Sequence, residues 1–376
     1  KQTSLGFMLP YTPLHYLLME QLDGFSDALV MTSANLSEEP IAIDNQEARE
    51  RLSSLADAFL MHNREIYLRC DDSVSKVENN APVLMRRSRG YAPDPVPLPF
   101  EAPPILATGP ELKNTFCLTR DKYAFLSHHI GDMENFETLQ SFEKGIDHFE
   151  KLFRIEPQAI AADLHPNYLA SRSANERAKT DGLPVYGVQH HHAHIAACMA
   201  DNGLDGKKKV IGLSFDGTGY GTDGTIWGGE VLVADYGGFE RRFHLEPFAL
   251  PGGDKAVKNP WRVGLSLAFQ AGIDPDTLWF KAQIDPTDWK VVLNQIEKGL
   301  NAPLTSSMGR LFDGVAALAG VRLSVNYEAQ AAIEFEELLD GSETGAYEMP
   351  LSGSFISLKE MVQQMVSDQA AGVPLG

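Results

Sequence analysis

The sequence predicts an α/β protein, because short apolar runs of strand length alternate with segments whose apolar residues recur at helical spacing. Its 376 residues are enough for two or three domains at roughly 150 residues per domain. Apolar residues make up 43% of the chain and charged residues 22%, which excludes a disordered chain or a fibrous repeat. Six prolines between residues 91 and 104 exclude a helix there and predict an extended linker.

The elements before this linker predict one α/β unit. Residues 28–31 form an apolar run that predicts a buried strand, and residues 32–37 follow it as a turn. Residues 47–59 carry apolar side chains at helical spacing, and strands are expected at residues 66–68 and 83–85.

The elements after the linker predict a mixed sheet packed with helices. Residues 120–122 predict a tight hairpin turn, and residues 139–152 have the apolar spacing of an amphipathic helix. The remaining apolar runs have the length of strands: residues 105–107, 116–119, 124–127, 159–162, 185–188 and 210–215. Hairpins followed by βα units are typical of a mixed-sheet α/β domain.

The segment from His190 to His194 holds four of the chain's eleven histidines. The apolar residues that follow predict a helix, which would place His190 and His194 on one face. Two imidazoles at positions i and i+4 can converge on one metal ion, and the segment itself offers no third ligand. His191 and His192 would point elsewhere, as supporting or substrate-binding groups. The alternative is a polar helix terminus that happens to be rich in histidine.

Residues 213–230 contain six glycines and follow an apolar strand. Backbone amides in such a turn can converge on a phosphate, because glycine permits positive φ angles and close approach. Asp216 and Asp223 could meet a Mg²⁺ ion held on those phosphates. The alternative is a β-hairpin, for which Asp-Gly is a preferred turn pair, and both structures can coexist.

Three other segments are candidate anion sites. Lys113 lies in a predicted turn at residues 108–115 and could neutralise a phosphate, although a solvated turn lysine fits almost equally well. Glycines also precede charged residues at 251–256. Gly309 and Asp313 begin an amphipathic helix, whose free amides favour an anionic or hydroxyl-bearing ligand and whose half-buried Asp313 could hold a ribose.

Arg86, Arg87 and Arg89 form a concentrated basic patch before the proline-rich segment. Three arginines within four residues suit recognition of a carboxylate or a phosphate. A solvated strand edge explains them equally well.

The charge and the cysteines exclude several classes of protein. With 32 basic and 51 acidic residues, the chain has a net charge of −19. This charge argues against a broad nucleic-acid-binding surface, but it does not exclude a local nucleotide pocket. Cys70, Cys117 and Cys198 form no CxxC pair, which excludes a disulfide framework and predicts a reducing, cytoplasmic location. No apolar run approaches the ~20 residues of a membrane span. Because the chain starts at Lys1, we expect a fragment of a longer polypeptide.

These motifs together resemble the HypF carbamoyltransferase family, which matures nickel–iron hydrogenases. Residues 32–40 are similar to the SANLS signature of YrdC-like domains, and residues 71–74 and 85–90 resemble that domain's closing segments. The HHHAH and DGTGYGTDGTIWGGE strings resemble the family's TsaD-like domain, which has an actin-type, two-lobed nucleotide-binding fold. The resemblance implies the C-terminal part of a YrdC-like, carbamoyl-adenylate-forming domain at residues 1–98. A TsaD-like carbamoyl-transfer domain lacking its C-terminal end would follow at residues 99–376.

The resemblance also implies roles for individual residues. His190 and His194 would bind a divalent metal, iron or zinc, and would be catalytic together with Lys113. Lys113 stands where the TsaD family has an acidic residue, which suggests a changed phosphate or acyl contact. The residues expected to bind nucleotide or substrate are Ser33, Asn35, Arg86, Arg89, Asp216, Gly217, Gly309, Asp313 and, more weakly, Glu328. The third metal ligand would be an aspartate beyond residue 376.

The chemistry implied by the resemblance uses ATP, Mg²⁺ and carbamoyl phosphate. Carbamate would be joined to AMP in the YrdC-like domain, and the carbamoyl group would pass in the TsaD-like domain to the C-terminal cysteine of HypE. An acylphosphatase domain and zinc fingers, with their zinc, would precede this chain. The alternatives are an O-carbamoyltransferase that acts on a small-molecule hydroxyl, or a nucleotide-gated binding module without chemistry. A tRNA-directed role is disfavoured by the charge, and neither a membrane nor a nucleic acid is expected as a partner.

Overall fold

A computed structural model describes residues 4–20, 28–36 and 39–375. The chain divides into two compact units, one ending at Tyr186 and the other beginning at Gly187. Both contain helices and strands, so the predicted α/β class is confirmed. In the three described ranges, no helix is both long enough and apolar enough to cross a membrane.

The first part of the first unit contains two short helices and a two-stranded antiparallel sheet. Its elements are α1 (Pro13–Leu18), α2 (Asn45–Leu52), β1 (Val74–Glu78) and β2 (Ala81–Arg86). Asp44 caps α2 by accepting hydrogen bonds from the amides of Gln46 and Glu47 at 2.8 and 2.9 Å. Asn79 and Asn80 turn between the strands with φ angles of 50° and 62°, which asparagine tolerates. The strand predicted at residues 83–85 is confirmed as part of β2.

Three predictions for this region are wrong in part or in full. The helix predicted at residues 47–59 ends at Leu52, where two serines, which are weak helix formers, follow. Residues 28–31 and 66–68 are not strands. A strand needs a neighbour for its backbone groups, and none of the described strands pairs with either segment. Val30 accordingly lies fully exposed.

The rest of the first unit is built on a five-stranded mixed sheet with the order β3-β5-β4-β6-β7. Its strands are β3 (Val96–Ala102), β4 (Ile105–Ala107), β5 (Cys117–Leu126), β6 (Ala159–Asp163) and β7 (Val185–Val188). Strand β4 pairs parallel with β6 and antiparallel with β5. The strands predicted at residues 105–107, 116–119, 124–127, 159–162 and 185–188 are therefore present here.

Strand β5 folds back on itself, as predicted for residues 116–127. The amide of Ser127 donates to the carbonyl of Phe116 at 2.8 Å, which brings together the two ends of the segment. Asp121 lies in the predicted turn and has a φ of 55°. The proline-rich segment, in contrast, begins with turns at residues 91–94, is extended from residue 96 and is not a free linker. Its residues 96–102 form β3, which pairs with β5 at an edge of the sheet, where proline's missing N–H is tolerated.

Two helices, α3 (Phe136–Phe153) and α4 (Leu169–Asp181), complete the first unit. Asn135 caps α3 by accepting from the amide of Thr138 at 2.8 Å. The apolar spacing predicted for residues 139–152 places Phe142, Ile146 and Phe149 in a core with Phe116 from the sheet. All four side chains are at most 3% exposed, so this core is shielded from solvent and closely packed.

The second unit is built on a seven-stranded sheet. Its strands are β8 (Val210–Tyr220), β9 (Ile226–Asp235), β10 (Gly238–Leu245), β11 (Phe248–Ala249), β12 (Leu304–Thr305), β13 (Leu351–Ser352) and β14 (Phe355–Ile356). Its helices are α5 (His190–Asp201), α6 (Asp254–Lys258), α7 (Pro260–Gln270), α8 (Pro286–Lys298), α9 (Met308–Leu318), α10 (Gln330–Glu336) and α11 (Lys359–Ala371). Helices α7, α9 and α11 pack around Phe248 and Phe280 in its main core.

Helix α3 offers a direct test of the core of the first unit. Phe142 is 0% exposed and Phe136, on the same helix, is 65% exposed. We expect Phe142→Ala to lower the free energy of unfolding by about 3–5 kcal/mol, because it leaves a cavity. Phe136→Ala should change it by no more than about 0.5 kcal/mol. Denaturant titration of both variants measures the difference, and equal losses would show that this core is not packed as described.

Candidate metal and nucleotide site

The predicted histidine pair is brought together by helix α5. The helix starts at His190, and Gln189 caps it by accepting from the amide of His192 at 2.9 Å. One turn separates His190 and His194, and their Nε2 atoms lie 3.2 Å apart. The His190 side chain is largely buried, whereas that of His194 is 59% exposed. The pair therefore opens to the surface on the His194 side.

A third group reaches the pair from strand β8. The Oδ2 atom of Asp216 lies 3.0 Å from Nε2 of His190 and 3.9 Å from Nε2 of His194. The pairing of β8 with β9 shifts register between Phe215 and Gly219, so that Asp216 leaves the regular ladder. Such irregularities turn side chains toward sites. The sequence prediction placed Asp216 at nucleotide-bound Mg²⁺ and expected the third metal ligand to be an aspartate beyond residue 376.

The chemistry of this group fits a divalent metal. Potential ligand atoms of His190, His194 and Asp216 all lie within 4.8 Å of one another. Oδ2 of Asp216 is buried and receives no hydrogen bond from an amide or hydroxyl group. Burial acts to raise the pKa of Asp216, but the His190 hydrogen bond and the neighbouring imidazoles outweigh it, and the pKa is lowered. Two imidazoles and a carboxylate are a ligand set used by Zn²⁺ and Fe²⁺.

Of the other two histidines, His192 points elsewhere, as predicted, whereas Nε2 of His191 lies 3.8 Å from Oδ2 of Asp216. His191 is fully buried, and burial lowers the pKa of its imidazole to about 4, which keeps it neutral. Its Nδ1 lies 3.1 Å from the amide nitrogen of the Gln189 side chain. His192 turns away from the metal candidates, and its Nε2 lies 2.7 Å from the carbonyl oxygen of Asp235.

The glycine-rich segment forms the β-hairpin that was the alternative to a phosphate turn. Strands β8 and β9 are its arms, and Asp223 sits in the turn between them. Asp223 accepts from the amide of Thr225 at 3.0 Å, from Nε1 of Trp227 at 2.9 Å and from Arg241 at 3.2 Å. The oxygens of Asp223 thus hold the hairpin together, and its contact with Mg²⁺ stays a prediction.

A buried ion pair beneath this hairpin was not anticipated from the sequence. Glu230 is 0% exposed and accepts from Arg241 Nε at 2.6 Å and from the hydroxyl of Ser306 at 2.6 Å. Its carboxylate also accepts from the amides of Gly228 and Gly229 at 3.1 and 3.3 Å. No local sequence signal identifies this network, because Ser306 is 76 residues away.

The two predicted nucleotide segments, around Gly217 and Gly309, lie against each other. A side chain at Gly309 would place a Cβ atom 2.9 Å from Cα of Gly217, so only glycine allows this approach. Ser307 caps α9 by accepting from the amide of Arg310 at 3.1 Å. The free amides at the start of α9 thus lie beside residue 217, as an anion-binding site would require.

Asp313 is 3% exposed, so the expectation that it is half buried is wrong. Its Oδ2 lies 3.1 Å from Arg310, a buried arginine that sequence reasoning did not single out. Burial raises the pKa of Asp313 to about 6, although Arg310 opposes the shift. Glu328, the weaker candidate, is exposed in the turn before α10. Residues 251–256 form a turn that enters α6.

The remaining candidates lie in the first unit, and its arginines face carboxylates. Arg86 lies 3.8 Å from Asp71, and Arg89 lies 3.2 Å from Asp72. Arg87 donates to the backbone carbonyls of Leu126, Tyr91 and Asp94. Arg86 and Arg89 are nevertheless exposed, as the alternative of a solvated strand edge predicts.

The other first-unit candidates lie in turns. The amide of Asn35 donates to the carbonyl of Ser33 at 3.1 Å, whereas Ser37 and Glu38 of the same motif lie outside the described residues. The amide of Lys113 donates to Asp132 at 2.6 Å, and its φ is 48°.

The cysteines behave as predicted. Cys70, Cys117 and Cys198 are free thiols in the structure. Burial raises the pKa of Cys117 to about 12, so that thiol is no nucleophile.

Comparison with known families identifies the class first. Residues 100–201 match the HypF Kae1-like domain, and residues 212–376 match the second subdomain of the carbamoyltransferase Kae1-like domain. Residues 1–88 match the family described as telomere recombination, which carries the YrdC-like domain. The protein thus joins a YrdC-like segment to a Kae1-like segment of the carbamoyltransferase type.

Individual relatives then show the family to which the chain belongs. The chain is 45% identical to carbamoyltransferase HypF of Rhodobacter capsulatus over 97% of its own length and 49% of that relative. It is 43% identical to the Rhizobium leguminosarum bv. viciae protein of the same name, over 90% of this chain and 44% of that protein. The chain belongs to the HypF carbamoyltransferase family, and it spans about half the length of these curated relatives.

Solved structures agree with this assignment. A crystal structure of full-length HypF in the phosphate- and nucleotide-bound form matches with a TM-score of 0.87 and 45% identity, over 97% of this chain and 57% of the other. The structure of T. kodakarensis HypF matches with a TM-score of 0.82 and 36% identity, over 90% of this chain and 45% of the other.

The pKa of Asp313 can be measured directly. Carboxyl ¹³C NMR should show it titrating near pH 6, assigned by loss of the signal in Asp313→Asn. Because the folded pKa lies above the ordinary value of 3.8, its contribution to stability is fully present below that value and is lost as the pH rises through about 6. Asp285, whose pKa is lowered by backbone amides, is the internal control. A midpoint near 4 for Asp313 would mean that Arg310 outweighs burial.

Proposed function

We propose that this chain takes part in ATP-dependent carbamoyl transfer and that its second unit carries the transfer site. The observation that carries the proposal is the group of His190, His194 and Asp216, in a chain that belongs to the HypF family. The relatives' name and the phosphate- and nucleotide-bound neighbour support ATP and carbamoyl phosphate as substrates. The division into a YrdC-like part at residues 1–98 and a transfer part at residues 99–376 belongs to the same proposal.

The proposed reaction has two steps. In the first step, carbamate and ATP give carbamoyl-adenylate and pyrophosphate at the YrdC-like part, where Ser33, Asn35, Arg86 and Arg89 would contact nucleotide. In the second step, a thiol of the partner attacks the carbamoyl carbon, its proton is lost, the new S–C bond forms and AMP leaves. Adenylation supplies the leaving group that carbamate lacks. The acceptor would be the C-terminal cysteine of HypE, for cyanide ligands of nickel–iron hydrogenase.

Each part of the second unit has a role in this proposal. His190, His194 and Asp216 would hold a divalent metal, iron or zinc, which supplies Lewis-acid polarisation of a carbonyl or holds a phosphate. Gly217 and Gly309 would let the nucleotide phosphates approach the protein backbone closely. Asp313 would face the ribose, and Glu328 would approach the adenosine. Mg²⁺ would accompany the ATP phosphates. Lys113 of the first unit would neutralise an acyl or phosphate group.

The metal assignment is tested by His190→Ala and His194→Ala. Removing a ligand should weaken Zn²⁺ binding by at least about a hundredfold, more than the ten- to hundredfold loss typical of supporting residues. Calorimetric titration of purified protein measures it. His192→Ala is the matched control, because His192 contacts the carbonyl of Asp235 instead of the cluster. Unchanged affinity in the first two variants would remove the metal assignment.

The reaction is tested with full-length protein, carbamoyl phosphate, ATP and a peptide that ends in cysteine. We expect pyrophosphate release and a carbamoylated thiol, detected by mass spectrometry. His190→Ala should stop the transfer but leave pyrophosphate release intact, because adenylation is assigned to the YrdC-like part. A peptide ending in serine is the control. Carbamoylation of small hydroxyl compounds instead would favour an O-carbamoyltransferase, and nucleotide binding without pyrophosphate would favour a binding module.

A further inference from the structure

One hydroxyl group joins the metal candidates to the start of helix α9. Oγ of Ser307 lies 2.8 Å from the carbonyl oxygen of Asp216 and 2.8 Å from that of Gly217, and it donates its single proton between them. The same oxygen accepts from the amide of Arg310 at 3.1 Å. Ser307 is 0% exposed, so no water replaces these bonds at the surface.

The surrounding backbone leaves little freedom for the Asp216 segment. A Cβ at Gly228 would lie 2.5 Å from the carbonyl oxygen of Asp216 and 3.1 Å from Cα of Ser307. A Cβ at Gly309 would lie 2.9 Å from Cα of Gly217. Three backbone segments therefore meet at van der Waals distance, and the Ser307 hydroxyl is a polar side-chain link between two of them.

The neighbouring segment around Glu230 is held by contacts that do not involve Ser307. Ser306, the preceding residue, donates to Glu230, which in turn holds the amides of Gly228 and Gly229. The bond between Glu230 and Arg241 does not involve the Ser307 hydroxyl. Loss of the Ser307 hydroxyl would thus release the Asp216 segment without dismantling the hairpin.

We infer that Ser307 is a positioning residue that sets the Asp216 carboxylate against His190 and His194 and, through the same oxygen, fixes the α9 amides beside Gly217. This inference rests on the proposed metal and nucleotide roles of those residues. It adds that metal affinity and nucleotide affinity depend on one buried hydroxyl. Without it, the carbonyls of Asp216 and Gly217 lose their donor and the carboxylate leaves the position it needs for the metal.

The test compares Ser307→Ala with Asp285→Ala in otherwise intact protein. Both variants remove a helix cap, since Asp285 caps α8 by accepting from the amides of Thr287 and Asp288 at 2.8 and 3.2 Å, but Asp285 does not contact the site. We expect Ser307→Ala to weaken Zn²⁺ binding about 10- to 100-fold, measured by competition with a chromophoric chelator. ADP affinity of the metal-free protein should fall in the same variant. Asp285→Ala should retain both affinities.

Two further variants distinguish an effect of the Ser307 hydroxyl on binding from a general loss of stability. Ser307→Thr keeps the hydroxyl and should restore Zn²⁺ affinity to within about threefold of the original. Gly309→Ala keeps the serine but forces apart the same two segments, and it should weaken Zn²⁺ and ADP binding together. Thermal unfolding of each variant shows that the affinities are compared between folded proteins.

The outcomes separate this inference from the proposed function. If the unmodified protein binds no Zn²⁺, Fe²⁺ or other divalent metal at the histidines, the proposed metal site fails. If it binds metal, and Ser307→Ala binds metal and ADP as tightly as Asp285→Ala does, the positioning role is overturned. Should Ser307→Ala not fold, unchanged binding in Gly309→Ala overturns the inference, and a joint loss supports it.

Discussion

The second unit depends on the close approach of three backbone segments, which contain Asp216, Gly228 and Ser307. Backbones meet at such distances only where no side chain intervenes, and a Cβ at Gly228 or Gly309 would collide with the neighbouring segment. The meeting of these segments displaces Asp216 from the sheet ladder and sets it beside the histidines. It also places the start of α9 beside Gly217. The candidate site is therefore a consequence of glycine packing as much as of its charged groups.

Buried charge in this unit is of two kinds. Glu230 accepts from an arginine, a hydroxyl and two amides, so its burial is compensated and it serves the architecture. Asp216 and Asp313 each have a buried oxygen that receives no hydrogen bond from an amide or hydroxyl group and that instead faces His190 and Arg310 respectively. A buried carboxylate oxygen with so few donors is costly unless a cation or a ligand completes it. The difference separates carboxylates that hold the fold from those that are available for chemistry.

The net charge of −19 is compatible with this arrangement, because the site uses local groups. Three imidazoles surround the Asp216 carboxylate, and Arg310 lies beside Asp313. In the first unit, Arg86 and Arg89 face Asp71 and Asp72, so even the basic patch is balanced within its own unit. An anion that binds there would have to compete with these carboxylates.

The sequence by itself determined what depends on local pattern. Helical spacing and a cap suffice to put His190 and His194 on one face, and the strands and hairpin after residue 104 follow from apolar runs and turn residues. Tertiary structure alone decided that Asp216 joins the histidines, that Glu230 binds Arg241 and Ser306, and that Ser307 donates to the Asp216 and Gly217 carbonyls. These pairings link residues as much as 91 positions apart, for which no local spacing exists. Residues 28–31 show the converse, because an apolar run becomes a strand only where another backbone pairs with it.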